Sequence, residues 1–324
     1  MLRLLIPTGG GYTWIEHVPP AVFPDEFLWA DLYEPTAEEE KALEALLTVD
    51  VPTRDEMKEI ETSNRLYEEG GAVYMTATVG SRLDTEKPES SAITFILADN
   101  RLITTRYADP TPVRRFMGHV ERSPAACTSS FTLLAGLLEA FTERIADVLE
   151  KVQVDLDAVS LTIFPRSNGE SPTNRDLQGM IQKIGMSGDL ISKSRESLVS
   201  FQRLLMYVQQ ATNVTLSKDQ AGRFRSTLRD VQSLSDHATF LNGKTQFLLD
   251  AVLGLINLEQ NNIIKIFSVV AVMFLPPTLI ASIYGMNFDF MPELDKHWGY
   301  PLALVAMVAS AVVPYLYFRR KGWL

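Results

Sequence analysis

Cysteine is almost absent from the chain, since Cys127 is the only one among 324 residues. A single thiol excludes an intrachain disulfide framework and a cysteine-based zinc site. Histidine is also rare, and the four histidines show no spacing typical of a shared metal site. The sequence contains neither a glycine-rich phosphate loop ending in Lys-Ser/Thr nor a Gly-x-Ser-x-Gly elbow. We therefore expect neither an enzymatic activity nor an organic cofactor.

Basic residues are scarce in the first half of the chain. Residues 1–160 carry 14 basic and 28 acidic side chains, whereas residues 161–324 carry 16 and 12. Nucleic-acid binding needs a basic surface, so nucleic acid is not an expected partner. An acidic surface concentrates cations around it, which makes cations the expected partners of this half.

Charge is missing altogether from two segments near the C-terminus. Residues 266–284 and 300–318 each run for 19 positions without a charged side chain. A helix of that length spans about 28 Å, close to the roughly 30 Å of a hydrocarbon core. The pattern predicts two transmembrane helices joined by an external loop, 285–299. Buried core helices are the alternative.

The flanks of the two segments predict their orientation. Lys265 precedes the first segment, and Arg-Arg-Lys at 319–321 follows the second, whereas acids outnumber bases in the loop 285–299. Basic flanks favour the cytoplasmic side. The first apolar run of the chain ends at Pro7, too early for a secretory signal. We therefore expect an integral protein of the plasma (inner) membrane with both termini in the cytoplasm.

Residues 1–125 alternate short apolar runs with polar breaks, as strands do. The predicted strands are Leu2–Ile6, Tyr12–Val18, Phe27–Leu32, Ala72–Val79, Ile93–Leu97 and Leu102–Arg106. A capping-box pattern at Thr36–Glu39 opens a helix that ends near Leu47, and Thr53–Glu56 repeats the pattern. These features predict a cytoplasmic α/β domain.

Long helical segments follow the α/β domain. They cover residues 128–164, then a stretch ending near 210, then a proline-free run from 217 that continues into the first span. Leucines recur every seven residues in that last helix, with smaller apolar residues offset by three. The seam consists of Val231, Leu234, Ala238, Leu241, Leu248, Val252 and Leu255. It packs against the chain's own helices, against another subunit, or against both.

The chain therefore divides into three predicted parts. Residues 1–125 form the α/β domain, 126–265 a helical stalk and 266–324 the transmembrane domain. Two spans cannot enclose a pathway alone. The chain is thus either a membrane-anchored protein or one that oligomerises around an axis.

Seven residues share one face at the membrane end of the long helix, by three- and four-residue spacing. They are Asn261, Ile264, Ser268, Ala271, Leu275, Thr278 and Ser282. Polar residues at membrane depth usually face a bundle interior or water, which predicts a pore lining. Ile264 and Leu275 would then form apolar constrictions. A close helix–helix seam is the alternative, because it also favours small residues.

The segment after this face carries a recognisable motif. Residues 284–288 read Tyr-Gly-Met-Asn-Phe, and residues 291–294 read Met-Pro-Glu-Leu. A Gly-Met-Asn triplet at the end of the first of two C-terminal spans resembles the CorA-type magnesium/cobalt transporter family. The likeness covers 259–324 and is closest to the bacterial branch, and the layout of 1–258 is compatible with it.

The resemblance implies a funnel-shaped homopentamer whose long helices line a central pore. It implies that Gly285, Met286 and Asn287 of five chains form the selective external mouth. Mg²⁺ gives up its water reluctantly, so neutral amide oxygens can bind its hydration shell without replacing it. The alternative for Asn287 is a helix C-cap. Asp289 and Glu293 in the external loop would concentrate cations at the mouth, or belong to an ordinary solvated loop.

The resemblance also implies regulatory divalent sites between neighbouring subunits. Asp250 lies where the family has its stalk carboxylate, and Asp84, Glu86 or Glu89 is the candidate partner from the N-terminal domain. Bound Mg²⁺ would close the pore when its cytoplasmic concentration is high, so Mg²⁺ is both the transported and the regulatory ion. The alternative for Asp250 is a solvated acid on the stalk.

The function implied is passive Mg²⁺ influx driven by the membrane potential, with Co²⁺ or Ni²⁺ as further ions. Two alternatives stay open. One is a zinc transporter of the same superfamily, whose members often depart from both motifs. The other is a membrane-anchored sensor or scaffold without ion flux.

Overall fold

The computed structural model divides into two compact units. The residues it describes are 1–85, 87–123, 128–165, 172–212, 214–287, 291–292 and 296–323. The first compact unit comprises Met1–Pro172 and Gln178–Leu249, and the second comprises Thr173–Leu177 and Asp250–Leu324.

A seven-stranded mixed sheet forms the centre of the α/β domain. Its strands are β1 Leu2–Thr8, β2 Gly11–His17, β3 Trp29–Tyr33, β4 Leu66–Glu69, β5 Ala72–Ser81, β6 Glu89–Ala98 and β7 Arg101–Arg106. The strand order is β2-β1-β3-β7-β6-β5-β4, and every pair is antiparallel except β3–β7. The six predicted strands are confirmed. The short β4 was not predicted, because only two of its four residues, Leu66 and Tyr67, are apolar or aromatic.

Seven α-helices complete the described part of the chain. They are α1 Ala37–Leu47, α2 Thr62–Arg65, α3 Thr111–Arg122, α4 Ser130–Ile163, α5 Asn174–Val208, α6 Lys218–Tyr284 and α7 Gly299–Arg320. The predicted capping box at Thr53 forms, with its N–H donating to the Glu56 carboxylate at 2.8 Å. Only one 3₁₀ turn, Glu56–Lys58, follows it, because Glu59 returns to extended backbone.

Helices cover both faces of the sheet. On one face, Leu43 and Leu47 of α1 join an apolar cluster with alternate residues of the strands, including Leu4 and Ile103. On the other face, α3 and α4 pack against β2, β6 and β7. The fully buried Trp29 lies on that side, with its ring centroid 6.0 Å from that of Phe116 in α3. Strands buried on both faces explain the nearly continuous apolar runs of β5 and β6.

Glu39 joins the start of α1 to the first strand. Its carboxylate accepts hydrogen bonds from the N–H groups of Thr36 at 2.8 Å and Leu2 at 3.0 Å, and the Thr36 hydroxyl accepts one from the Glu39 N–H. Burial by itself raises the pKa of Glu39. The hydrogen bonds and the nearby N-terminal ammonium outweigh burial, so the net pKa lies below its ordinary value.

We expect Glu39→Gln to lower the free energy of unfolding by about 1 kcal/mol at neutral pH. The folded-state pKa is depressed, so the stability from ionised Glu39 is present above the unfolded pKa and disappears as pH falls through the folded pKa. Thermal unfolding from pH 7 downward should show the two proteins converging below about pH 4.3. Exposed Glu38→Gln is the matched control. A gap that stays constant with pH would contradict this role.

Helices α4 and α5 and the first part of α6 pack together in the first compact unit, where the ring centroids of Phe141 in α4 and Phe201 in α5 lie 5.4 Å apart. Arg223 of α6 pairs with Glu139 of α4 at 2.6 Å, and Lys244 pairs with Asp157 of α4. The heptad positions that are fully buried within the single chain are Val231, Ala238, Leu241, Leu248 and Val252. The chain's own helices therefore fill most of this seam, which is one of the arrangements expected from the sequence. Leu234 and Leu255 remain partly exposed.

Candidate functional site

The membrane end of α6 and the whole of α7 are long and apolar enough to cross a bilayer. Their apolar side chains are exposed: Phe267, Leu275 and Val313 are 71%, 67% and 65% accessible. A soluble monomer rarely exposes a continuous apolar surface of this extent. Lipid or other protein chains must therefore cover these helices, and the predicted core-helix alternative is wrong.

Each of these helices has one less exposed face. Apart from the fully buried Val269, the partly buried positions of α6 are Met273, Pro276, Pro277, Ile280 and Tyr284. In α7, Ala303 is buried and Met307, Ser310, Pro314 and Phe318 are partly buried at the same kind of spacing. The second compact unit contains no other described helix of membrane length. We therefore identify these as the faces that α6 and α7 present to each other.

The seven predicted pore-lining residues lie on the opposite side of α6. Each of them, from Asn261 to Ser282, is exposed in the single chain. At about 100° per residue, their mean direction is about half a turn away from the face centred on Val269 and Met273. The small residues of this face thus do not serve a seam with α7. The face is left for a copy of the chain or for an aqueous path.

Two hydroxyls on this face are oriented by their own helix. Ser268 Oγ donates to the Ile264 carbonyl at 2.8 Å, and Thr278 Oγ1 donates to the Phe274 carbonyl at 2.7 Å. Each hydroxyl proton is used in this bond to the helix backbone. The lone pairs of the oxygen therefore remain able to accept a hydrogen bond from another group. Water bound to a cation directs its hydrogens outward. The face can therefore accept hydrogen bonds from a hydrated cation.

Helix α6 ends at Tyr284, immediately before the Gly-Met-Asn triplet. The Gly285 N–H donates to the Ala281 carbonyl at 2.9 Å. A Cβ atom at position 285 would lie 3.1 Å from that carbonyl oxygen, so a side chain would disturb this last turn. Close approach of backbone, and not a left-handed φ, explains the glycine here.

Asn287 is exposed just beyond the helix end. Its backbone is not left-handed, and its amide makes no hydrogen bond within the described residues. Nothing in this geometry supports the alternative of a helix C-cap, which would use a left-handed residue or a bond to a free carbonyl. The predicted acids of the external loop, Asp289 and Glu293, lie outside the described residues.

The predicted regulatory acids of the N-terminal domain already have partners. Asp84 forms an ion pair with Arg144, and Glu89 pairs with Arg82 at 3.1 Å. Both carboxylates are more than half exposed, so a cation could reach them in competition with the arginines. The arginine partner of Asp84 is 60 positions away in the sequence, so no local sequence pattern could predict this ion pair. Glu86 lies outside the described residues.

Asp250 lies on an exposed side of α6. Among the described residues, no three His, Cys, Asp or Glu side chains come close enough together to hold a metal ion. The described part of one chain therefore assembles no complete regulatory site.

The chain is similar to known magnesium transport proteins. A family model described as CorA-like Mg²⁺ transporter protein matches residues 24–320. The magnesium transport protein CorA of Haemophilus influenzae is 37% identical over 297 residues, and that of Mannheimia succiniciproducens is 36% identical, with 92% of each chain covered. The complete structure of the CorA magnesium transporter from Methanocaldococcus jannaschii superposes on all of this chain and 99% of that one, with a TM-score of 0.77 and 19% identity. That structural likeness concerns the fold.

Proposed function

The chain belongs to the CorA-like Mg²⁺ transporter family and is a membrane protein, and we propose that it carries Mg²⁺ across the bacterial inner membrane. The observation that carries the proposal is the exposed face of α6 that carries the seven residues from Asn261 to Ser282. This polar face leads directly to Gly285–Asn287. The membrane potential drives this transport as passive influx. Two positive charges that move inward across a potential of about 100 mV, inside negative, release about 4.6 kcal/mol. Both termini lie in the cytoplasm in this arrangement. Co²⁺ and Ni²⁺ are further proposed substrates.

The proposed pathway handles Mg²⁺ with its hydration shell in place. Amide oxygens of Asn287 accept hydrogen bonds from the ion's water at the external mouth, with Asp289 and Glu293 raising the local cation concentration. Hydroxyl oxygens such as that of Thr278 then continue the path. Leu275 and Ile264 form apolar rings that stop conduction when they lose water.

A pathway along one face of α6 requires several copies of the chain. We assign a funnel-shaped homopentamer, with α6 lining the axis and α7 outside it. Phe240 and Phe247 support assembly, because they are seven residues apart on α6 and 62% and 58% exposed. In this proposal, residues 1–125 form the cytoplasmic domain, 126–265 the stalk and 266–324 the transmembrane domain.

Native mass spectrometry in mild detergent should show five chains per particle. The expectation follows from the exposed polar face of α6, which no described part of the same chain covers. Proteoliposomes made from the same preparation provide the activity control. A stable monomer or dimer that retains ion flux would contradict the assembly.

The proposed regulation uses Mg²⁺ bound between subunits by Asp250 and one of Asp84, Glu86 or Glu89 of the neighbour. We expect Asp250→Ala to raise the Mg²⁺ concentration that protects the protein from limited proteolysis by about tenfold, the loss of one charge-assisted contact. Flux at low internal Mg²⁺ should persist. Asp236→Ala, another exposed acid of α6, is the matched control. Equal Mg²⁺ protection of the Asp250→Ala and parent proteins would remove Asp250 from the site.

Flux into proteoliposomes tests the proposed function itself. Mg²⁺, Co²⁺, Ni²⁺ and Zn²⁺ are supplied singly, at a fixed membrane potential, with and without a pH gradient. The proposal expects Mg²⁺ entry that grows with an inside-negative potential. Entry of Zn²⁺ in strong preference to Mg²⁺ would favour a zinc transporter, and no flux of any ion would favour a sensor or scaffold.

A further inference from the structure

A cavity of about 320 Å³ lies at one end of the sheet in the first compact unit. Strand β6 pairs with β7 only as far as Ile93, so in the described structure Glu89–Ala92 are paired with β5 alone. The space left beside them is lined by Ser90 and Ser91, by Arg54 and Lys58 near the 3₁₀ turn, and by Arg65 of α2. A second cavity, of about 410 Å³, shares Arg65 with the first.

The two cavities are basic, although residues 1–160, which supply all but one of the residues of the first cavity, are acidic overall. The second adds Arg195 and Arg203, so five basic side chains face two acidic ones, Glu89 and Glu196. Lys58 pairs with Asp55, and Glu89 with Arg82. The other four basic residues, all arginines, have no carboxylate at ion-pair distance among the described residues.

Two polar groups of the first cavity are buried without hydrogen-bond partners in the described structure, Arg65 Nε and Ser91 Oγ. Arg65 Nη1 donates to Thr78 Oγ1 at 3.1 Å, which uses only part of its donor capacity. Burial lowers the pKa of Arg65, while Glu196 opposes and Arg203 adds to the effect. An arginine stays protonated even so, which leaves a partly desolvated cation with no carboxylate at ion-pair distance among the described residues.

We propose that these adjoining cavities bind a small soluble anion bearing two or more phosphate groups. Arginine forks match phosphate oxygens in geometry, and hydroxyls such as that of Ser91 supply further donors. Several separate arginines favour a polyphosphate over a single carboxylate, because the positive charge is spread across both cavities. The volume is in the range of small-molecule sites. Apart from Glu89, none of these residues belongs to the proposed ion pathway or its regulatory acids.

The test titrates pyrophosphate into the full-length protein by calorimetry. The protein is held in phosphatidylcholine nanodiscs, which carry no anionic headgroups, in buffer with EDTA so that Mg²⁺ plays no part. We expect saturable binding that Arg65→Gln and Arg203→Gln each weaken by about tenfold or more, the loss of a charge-assisted contact. Arg225→Gln removes an exposed charge of α6 whose Nε bonds only the Ala221 carbonyl, and should bind as the parent does.

Three results would overturn the proposal. The first is absence of binding up to about 10 mM pyrophosphate, beyond the weakest useful affinity. The second is equal binding by the parent and both cavity variants. The third is loss of pyrophosphate binding when phosphatidylglycerol enters the nanodiscs, which would assign the cavities to a lipid headgroup. If Arg65→Gln does not fold, Arg203→Gln and Arg195→Gln decide the outcome.

Discussion

Replacing Asn287 by alanine is expected to reduce Mg²⁺ flux by about a hundredfold or more, with the proposed pentamer still assembled. A hydrogen bond contributes about 0.5–1.5 kcal/mol net, and symmetry removes five amides at once, so losing three bonds at one ion costs about 3 kcal/mol. That energy corresponds to about two orders of magnitude. The helix should not suffer, because the Asn287 amide makes no hydrogen bond within the described residues.

Companion variants separate the proposed role from a capping role. Asn287→Gln keeps the amide but displaces it by one methylene, so flux should fall if the position of the amide matters. A capping residue would instead be replaced well by glycine or aspartate. Asn262→Ala, an exposed amide of α6 on another side from the polar face, is the matched control and should transport normally. Parent-like flux in Asn287→Ala would make the assigned selectivity role wrong.

The elements with strong periodicity could be predicted from the sequence, and the weak ones could not. Strand β5 is apolar over most of its ten residues, and α6 runs for 67 residues whose only prolines lie near its membrane end. Helix α3 was missed, although Pro112 in its first turn is typical of a helix start. The apolar residues of α3 do not extend over a long stretch of sequence, and contacts with α4 and β2 stabilise the helix.

The candidate site likewise has features that the sequence predicts and features that only the structure shows. The polar face of α6 follows from spacing alone, but only the structure shows that the least exposed face of this helix lies on the opposite side, at Val269. The Gly-Met-Asn motif predicted the position of the mouth, whereas the close backbone approach at Gly285 could be seen only in the structure. The ion pair of Asp84 with Arg144 depends on tertiary packing between distant segments, for which no local pattern exists.

A buried polar network joins β3 to β7, and its disruption is expected to destabilise the protein strongly. Arg106 donates to both carboxylate oxygens of Asp31, from Nε at 3.0 Å and Nη2 at 2.9 Å, and the two side chains are 2% and 0% exposed. Thr104 Oγ1 also donates to Asp31 at 2.7 Å, and it accepts from Trp29 Nε1 at 2.9 Å. The pairing register of β3 and β7, with Asp31 opposite Thr104, brings these groups together.

We expect Arg106→Met to lower the free energy of unfolding by about 3–5 kcal/mol, because methionine preserves much of the apolar stem but leaves a buried carboxylate unpaired. Thermal unfolding of the purified protein measures the change. Arg115→Met, at an exposed position of α3, should lie within about 0.5 kcal/mol of the parent.

The double variant Asp31→Asn with Arg106→Met identifies the cause. If the unpaired charge is what destabilises the domain, neutralising it should recover part of the loss, and the two changes will not add. Additive losses, or a cost below about 1 kcal/mol for Arg106→Met alone, would contradict this explanation. The transport readout separates the two large effects. Arg106→Met should reduce the amount of folded protein while the protein that does fold conducts normally, whereas Asn287→Ala should melt like the parent and conduct poorly.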